Sequence, residues 1–307
     1  MENVVWEKKG LVIKPDKKKS FSKTHAMIPT PYRLGKGIYR IFFSGRNIKN
    51  QSHISSVTID INKKLKILSR DNKPILSPGK LGTFDDNGVT PSCVIKLNNN
   101  KLALYYIGWN PGSTVRMHLF GGLAISKDEG KNFKRWSEAP IIERNSYNPY
   151  LNTAPWVIKK KDKYLMYYVS GTEWINKNLP RYNIKLAYSN NGLDWSHKND
   201  VCIDFKNRSE NALARPFVFK DDDKWKMFFS AKGKKYKLGY AESFDAINWE
   251  RKDKTINFNR GNSTYDNEMM EYFCIIKENE KYFMLYNGNN YGKDGIALAV
   301  GKKKISK

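Results

Sequence analysis

One pattern, two short apolar runs parted by a polar turn, occurs five times along this chain. The copies are Pro29–Ser44 (PTPYRLGKGIYRIFFS), Pro91–Ile107 (PSCVIKLNNNKLALYYI), Pro155–Ser170 (PWVIKKKDKYLMYYVS), Pro216–Ser230 (PFVFKDDDKWKMFFS) and Tyr272–Asn287 (YFCIIKENEKYFMLYN). Runs of this length, rich in Tyr, Phe and Ile and bounded by Asn, Lys and Glu, specify an antiparallel strand pair. With Pro29, Pro91, Pro155, Pro216 and Tyr272 taken as equivalent, the copies lie about 60 residues apart. Self-similarity at a long fixed period describes a chain assembled from copies of one small sheet.

Each strand pair is followed by a third short strand and then by a Trp- or Lys-bearing segment that reads as a fourth. The second copy continues with Gly122–Ser126 and Phe133–Glu143, the third with Ile184–Ser189 and Leu193–Phe205, and the fourth with Leu238–Ser243 and Ile247–Phe258. The first continues more weakly, with Ile54–Ile61 and Leu65–Leu76. Asn-Gly and Glu-Gly at the tips tolerate positive φ, as hairpins require. No stretch keeps a 3.6-residue apolar period, so little helix is expected. The fifth copy ends after its third strand, Gly295–Val300, while Val4–Ile13 has the Trp-then-aliphatic look of the missing fourth. Pairing these two segments would interlock the chain ends and protect sheet edges. The expected fold is all-β: a five-bladed β-propeller of four-stranded antiparallel blades, with the N-terminal strand closing the last. It forms a single domain over 1–307, with blades at about 23–78, 84–143, 149–205, 210–259, and 266–302 plus 4–13.

The net charge of +25 is the strongest compositional signal. Its lysines are spread through turns such as Lys17–Lys19, Lys159–Lys163 and Lys302–Lys304. Solvated turns, rather than a nucleic-acid surface, are therefore expected, although a positive field also attracts anionic substrates. Cys93, Cys202 and Cys274 sit far apart in apolar runs, which describes free thiols in a reducing compartment. The N-terminus lacks the apolar core of a signal peptide, and no apolar run is long enough to span a membrane. A cytoplasmic protein is expected.

Four motifs carry a family resemblance: FDDNGVTPS at Phe84–Ser92, the SNNGLDW turn at Ser189–Trp195, LARPFV at Leu213–Val218, and EMMEY with LYNGNNYG across Glu268–Gly292. With them the chain resembles the five-bladed propellers of glycoside hydrolase families 32, 43, 62, 68 and 130, above all a single-domain branch found in bacterial surface-polysaccharide loci. The resemblance implies a carbohydrate substrate. It also implies a carboxylate immediately before the proline that opens an inner strand. The residues at that place here are Ile28, Thr90, Ala154, Arg215 and Glu271, so the first-blade Asp of those hydrolases is absent.

In a propeller, the loops entering each inner strand and leaving the second strand open on one face. Those loops hold His25, Arg46, His53, Asp85, Asp86, Arg116, His118, Glu173, Glu210, Arg215, Glu268 and Glu271. Glycoside hydrolysis uses one carboxylic acid and one carboxylate. Glu271, Glu268 and Asp86 are the catalytic candidates, as an acid/base pair or as ligands for sugar hydroxyls. Asp85 and Asp86 are not separable from sequence. The arginines and histidines suit an anionic sugar, sugar phosphate or nucleotide sugar. They serve equally well as partners of the acids, as Arg215 might for Glu210 or Glu271. Trp109 is placed to stack on a sugar ring, and Asn287 and Tyr291 to meet hydroxyls. No metal-ligand spacing, nucleophile elbow or phosphate-binding glycine loop is present, so neither metal nor cofactor is expected. The expected activity is on a glycosidic or glycosyl-phosphate bond, by transfer or hydrolysis, in surface-glycan biosynthesis. The alternative is a sugar-binding propeller that has lost its catalytic carboxylates.

Overall fold

The computed structural model describes residues 1, 3–63, 65–97 and 101–304. The tip of the second hairpin (98–100) and the end of the basic tail (305–307) lie outside the described residues. Strands dominate. After β1 (Val4–Ile13), the first unit comprises β2 (Thr24–Gly35), β3 (Ile38–Arg46), β4 (Ser52–Asp60) and β5 (Lys66–Arg70). The second comprises β6 (Val89–Lys96), β7 (Leu102–Pro111), β8 (Met117–Ser126) and β9 (Lys134–Arg135). The third comprises β10 (Asn152–Lys160), β11 (Lys163–Asn176), β12 (Leu179–Ser189) and β13 (Ser196–Ile203). The fourth comprises β14 (Ala212–Asp221), β15 (Lys224–Lys232), β16 (Tyr236–Ser243) and β17 (Glu250–Arg251). The fifth runs through β18 (Glu271–Glu278), β19 (Lys281–Asn287) and β20 (Ile296–Lys303).

Within every unit, consecutive strands pair antiparallel, and β1 pairs antiparallel with β20 as the pattern of Val4–Ile13 anticipates. Trp6 faces Gly301 in that pairing, where a Cβ would stand 2.9 Å from the indole. The glycine is what lets the indole lie flat on the sheet. Among the described residues, no hydrogen-bonded sheet closes on itself. Adjacent units are instead joined at single points: Ser52 to Gly88, Phe120 to Asn152, Tyr182 to Ala212, and Met270 N to Tyr236 O. Between the fifth unit and the first, the junction is a side chain. Asn287 accepts from Ile28 N and donates to Ala26 O, both at 2.8 Å. First strands touch in the order β2, β6, β10, β14, β18, and β18 lies back against β2.

A second repeated device locks units side by side. In the SNNGLDW turn, Ser189 Oγ accepts from Gly192 N at 2.8 Å, and Asn191 Oδ1 accepts from Leu193 N at 2.8 Å. Gly192 O receives the Tyr105 hydroxyl of the preceding unit, and Trp195 stands edge-on to the same tyrosine. Ser243, Ala246 and Trp249 repeat the arrangement against Tyr167. These turns are structural, because short polar side chains satisfy the backbone while the aromatic fills the gap between sheets.

Three expectations need correction. The segments after Gly108 and Gly171 are not loops: β7 and β8 pair out to Pro111 and Met117, and β11 and β12 out to Asn176 and Leu179. The fourth strands are much shorter than expected, only Lys134–Arg135 and Glu250–Arg251 in the second and fourth units. At the outer edge they have a neighbour on one side only, so little holds them extended. The last repeat lies one residue out of the expected register. Ile28, Ala154, Arg215 and Tyr272 all have positive φ, between 50° and 57°, inside a bulge in the first strand of their units. The equivalent of each proline is therefore Phe273, and Glu271 is aligned with Ala214 rather than Arg215.

Candidate functional site

At the end of the molecule where the units are stapled together lies a cavity of about 330 Å³ to which every unit contributes. The first supplies Arg46 and the second Trp109 and Arg116. The third supplies Tyr182, the fourth Lys232 and Tyr236, and the fifth Tyr272 and Tyr291. Arg46, Trp109 and Lys232 occupy one repeat position in the sequence, the last residue of FFSGR, YYIGW and FFSAK. Arg116 sits in a hairpin braced by its neighbour, its N–H donating to Lys177 O at 2.8 Å. The Tyr182 and Tyr236 hydroxyls are 2.6 Å apart, and Tyr291 stands edge-on to Tyr236.

The cavity wall is cationic. Among the described residues that line it, there is no aspartate or glutamate. Burial lowers the pKa of Arg46, and it lowers that of Lys232, with Arg116 and Lys235 adding to the effect. Three cations, Arg46, Arg116 and Lys232, thus share a partly desolvated space.

Glu271 lies just behind this wall. It is completely buried, and neither carboxylate oxygen has a hydrogen-bond partner among the described residues. Burial pushes its pKa well above the usual carboxylate range, although Lys232, Tyr272 and Arg46 nearby favour the ionised form. Desolvation outweighs them, so the balance is tilted towards the neutral acid. The positive φ of Tyr272 interrupts strand alternation, so that Glu271 and Tyr272 both turn inward. The same strain recurs at Ile28, Ala154 and Arg215, so it belongs to the repeat.

Of the residues singled out from sequence, Arg46, Trp109, Arg116 and Tyr291 line the cavity. Glu268 and Asp86 do not join Glu271 there. Glu268 is exposed and paired with Lys235 at 2.8 Å. Asp86 closes its own turn, accepting from Gly82 N and the Asn110 amide. Asp85 is buried and structural, accepting from Tyr106 and from Arg135, each at 2.9 Å. Glu210 is held in a two-pronged ion pair by Arg251, and Glu173 pairs with Arg181 at 3.2 Å. Arg215 therefore pairs with neither Glu210 nor Glu271. The histidines lie outside the lining. His25 contacts Thr24, and burial together with Arg46 and Lys293 brings its pKa down to about 4. His53 contacts Ser77, and His118 contacts Arg144. Asn287 is fully used as the staple between the fifth unit and the first.

Sequence reasoning missed Lys232, Tyr182, Tyr236 and Tyr272. The signal for Lys232 was present in the match between FFSAK and FFSGR. The tyrosines had none, because their role depends on which face of a strand the bulge presents.

Comparison with known proteins places this geometry in context. Residues 153–302 match the family described as "Glycosyl hydrolases family 32 N-terminal domain". The chain is 36% identical to the "Uncharacterized protein Rv1502" of Mycobacterium tuberculosis over 97% of its own length and 99% of the relative. Among solved structures it superposes on one described as "Glycoside hydrolase" with a TM-score of 0.75 at 19% identity, covering 97% of this chain and 92% of that one. It superposes on a thermostable family-43 glycoside hydrolase with a TM-score of 0.68 at 17% identity, covering 92% and 94%.

Proposed function

We propose that this chain, which belongs to one family with the Mycobacterium tuberculosis protein Rv1502 and shares the fold of family 32 and 43 glycoside hydrolases, is a carbohydrate-active protein whose ligand is an anionic or nucleotide-activated sugar. The observation that carries this reading is the cavity wall: Arg46, Arg116 and Lys232 beside Trp109, with no carboxylate in the lining among the described residues. Guanidinium groups match phosphate and carboxylate oxygens, and an indole face suits a sugar or a base. We read the five four-stranded units as the blades of a propeller within a single domain, the cavity being its funnel mouth. The contact of β18 with β2 supports this arrangement.

The reaction is cleavage or transfer at a glycosidic or glycosyl-phosphate bond. As the bond from the anomeric carbon to the leaving oxygen breaks, that oxygen takes a proton, and an acceptor hydroxyl or water attacks the carbon, its own proton passing to solvent or back to the donor carboxylate. Glu271, whose pKa burial raises, is the proton donor in this reading, and it adjoins the cavity-lining Tyr272 in sequence. An address inside the cell and a part in building surface glycans fit the three free thiols. A second reading, binding without turnover, is favoured by one observation: among the described lining residues no second carboxylate is available to act as base or nucleophile.

A thermal-shift screen of nucleotide sugars and sugar phosphates against neutral oligosaccharides tests the ligand class. Stabilisation by the anionic set is expected, and a response to neutral sugars alone would sink the reading. With a turned-over ligand in hand, Glu271→Gln should slow the reaction by about 10²–10⁴-fold. Binding with no turnover by the unaltered protein establishes the second reading.

A further inference from the structure

Arg215 is the largest fully buried side chain in the molecule, at 1% exposure. It starts from the strained bulge of β14 and reaches across to β2, where Nη2 donates to Pro29 O at 2.8 Å and to Thr30 Oγ1 at 2.9 Å. The first and fourth units are not neighbours, so the guanidinium crosses the middle of the ring of first strands. Trp156 lies 5.2 Å and Phe217 5.8 Å from it, and the Cys93 and Cys274 thiols are close enough to interact electrostatically. All five first strands therefore supply its surroundings, and Ile28 lies between it and the cavity.

This cation lacks a counter-charge. Among the described residues no carboxylate pairs with it, and Nε and Nη1 have no hydrogen-bond partner. Burial lowers its pKa only to about 10, so it stays charged at neutral pH. Burial likewise pushes the Cys93 and Cys274 thiols up to about 12, so neither provides a thiolate. A buried, uncompensated charge with unused donors is costly, and the flanking aromatic faces offset only part of it.

We infer that a small monovalent anion of the halide class sits at the centre of the ring, held by the Nε and Nη1 N–H groups of Arg215. One positive charge calls for one negative charge. The aromatic and thiol walls offer no second cation for a divalent ion, and the acceptors named at the guanidinium, Pro29 O and Thr30 Oγ1, are taken by Nη2. This site is separate from the sugar cavity and does not depend on the function proposed above.

The test uses the whole native protein. Crystals grown in sodium bromide should show an anomalous peak within hydrogen-bond distance of Arg215 Nε and Nη1. In solution, replacing gluconate by chloride or bromide at constant ionic strength should raise the melting temperature by about 2 °C or more. The rise should saturate at millimolar halide and disappear in Arg215→Met. Should that variant fail to fold, the bromide map of the native protein decides alone. Water at the site without an anomalous peak overturns the inference. So does a response that does not saturate, which marks an adventitious ion only.

Discussion

Two acids in this molecule are both shut off from solvent, and their pKa values move in opposite directions. The Asp221 side chain, at the end of β14, is wholly buried, as is Glu271 at the start of β18. Asp221 receives Lys226, Lys277 at 2.6 Å and the Tyr282 hydroxyl at 2.9 Å. Burial raises its pKa, but these hydrogen bonds outweigh burial and hold it at about 2. Glu271 has cations nearby and hydrogen bonds to none of them, so burial wins. Enclosure does not fix the charge of an acid; donors in bonding geometry do. Asp221 joins the fourth unit to the fifth. The hydrogen-bonding capacity of Glu271 is left unused behind the cavity wall.

The largest effect belongs to the satisfied network. Asp221→Asn leaves Lys226 buried without its carboxylate and should cost about 3–5 kcal/mol in denaturant unfolding. A loss below 1 kcal/mol would mean that the network is not structural. Next come the cations that flank Glu271 without bonding it. Arg46→Ala should weaken a phosphate-bearing ligand by about 1.5–3 kcal/mol, roughly 10- to 100-fold in Kd, and a neutral sugar far less. Equal losses on both would detach Arg46 from anion recognition.

The pH dependence of the two acids runs in opposite directions. Because the folded pKa of Glu271 is raised, stability is lost as pH climbs above its unfolded value near 4.5. Glu271→Gln should therefore match the wild type near pH 4 and melt higher at pH 8. The folded pKa of Asp221 is depressed, so its contribution persists above pH 4 and fades only as pH falls towards 2. Glu271→Gln melting below the wild type at pH 8 would show that the carboxyl is ionised and bonded. The smallest effect is expected at the exposed Glu268–Lys235 pair. Glu268→Gln should leave both melting and activity unchanged. A loss of turnover would return Glu268 to the site.

The strand pairs were legible in the sequence because apolar runs of fixed length and spacing leave few alternatives. The pairing of Val4–Ile13 with the last sheet was legible too, as the one strand missing from an otherwise complete repeat. What stayed hidden was register. The sequence aligns Tyr272 with the prolines, whereas the backbone places Tyr272 in the strained position before them. That shift of one residue decides which side chains turn inward. Charge pairing was equally hidden. Asp85 and Arg135, like Glu210 and Arg251, are partners only in space, and a list of titratable residues in loops cannot tell a bonded acid from a free one.

The pairing of β1 with β20 also has a bearing on how the chain is made. Residues 4–13 are synthesised about 290 residues before their partners at 296–303. At about 5–20 residues per second, the first strand waits roughly 15–60 s for the other half of its sheet. During that time its open edge faces the cell. Emergence of residues 296–303 is therefore the event that completes this sheet. A defect within residues 296–303 would be felt at both ends of the chain.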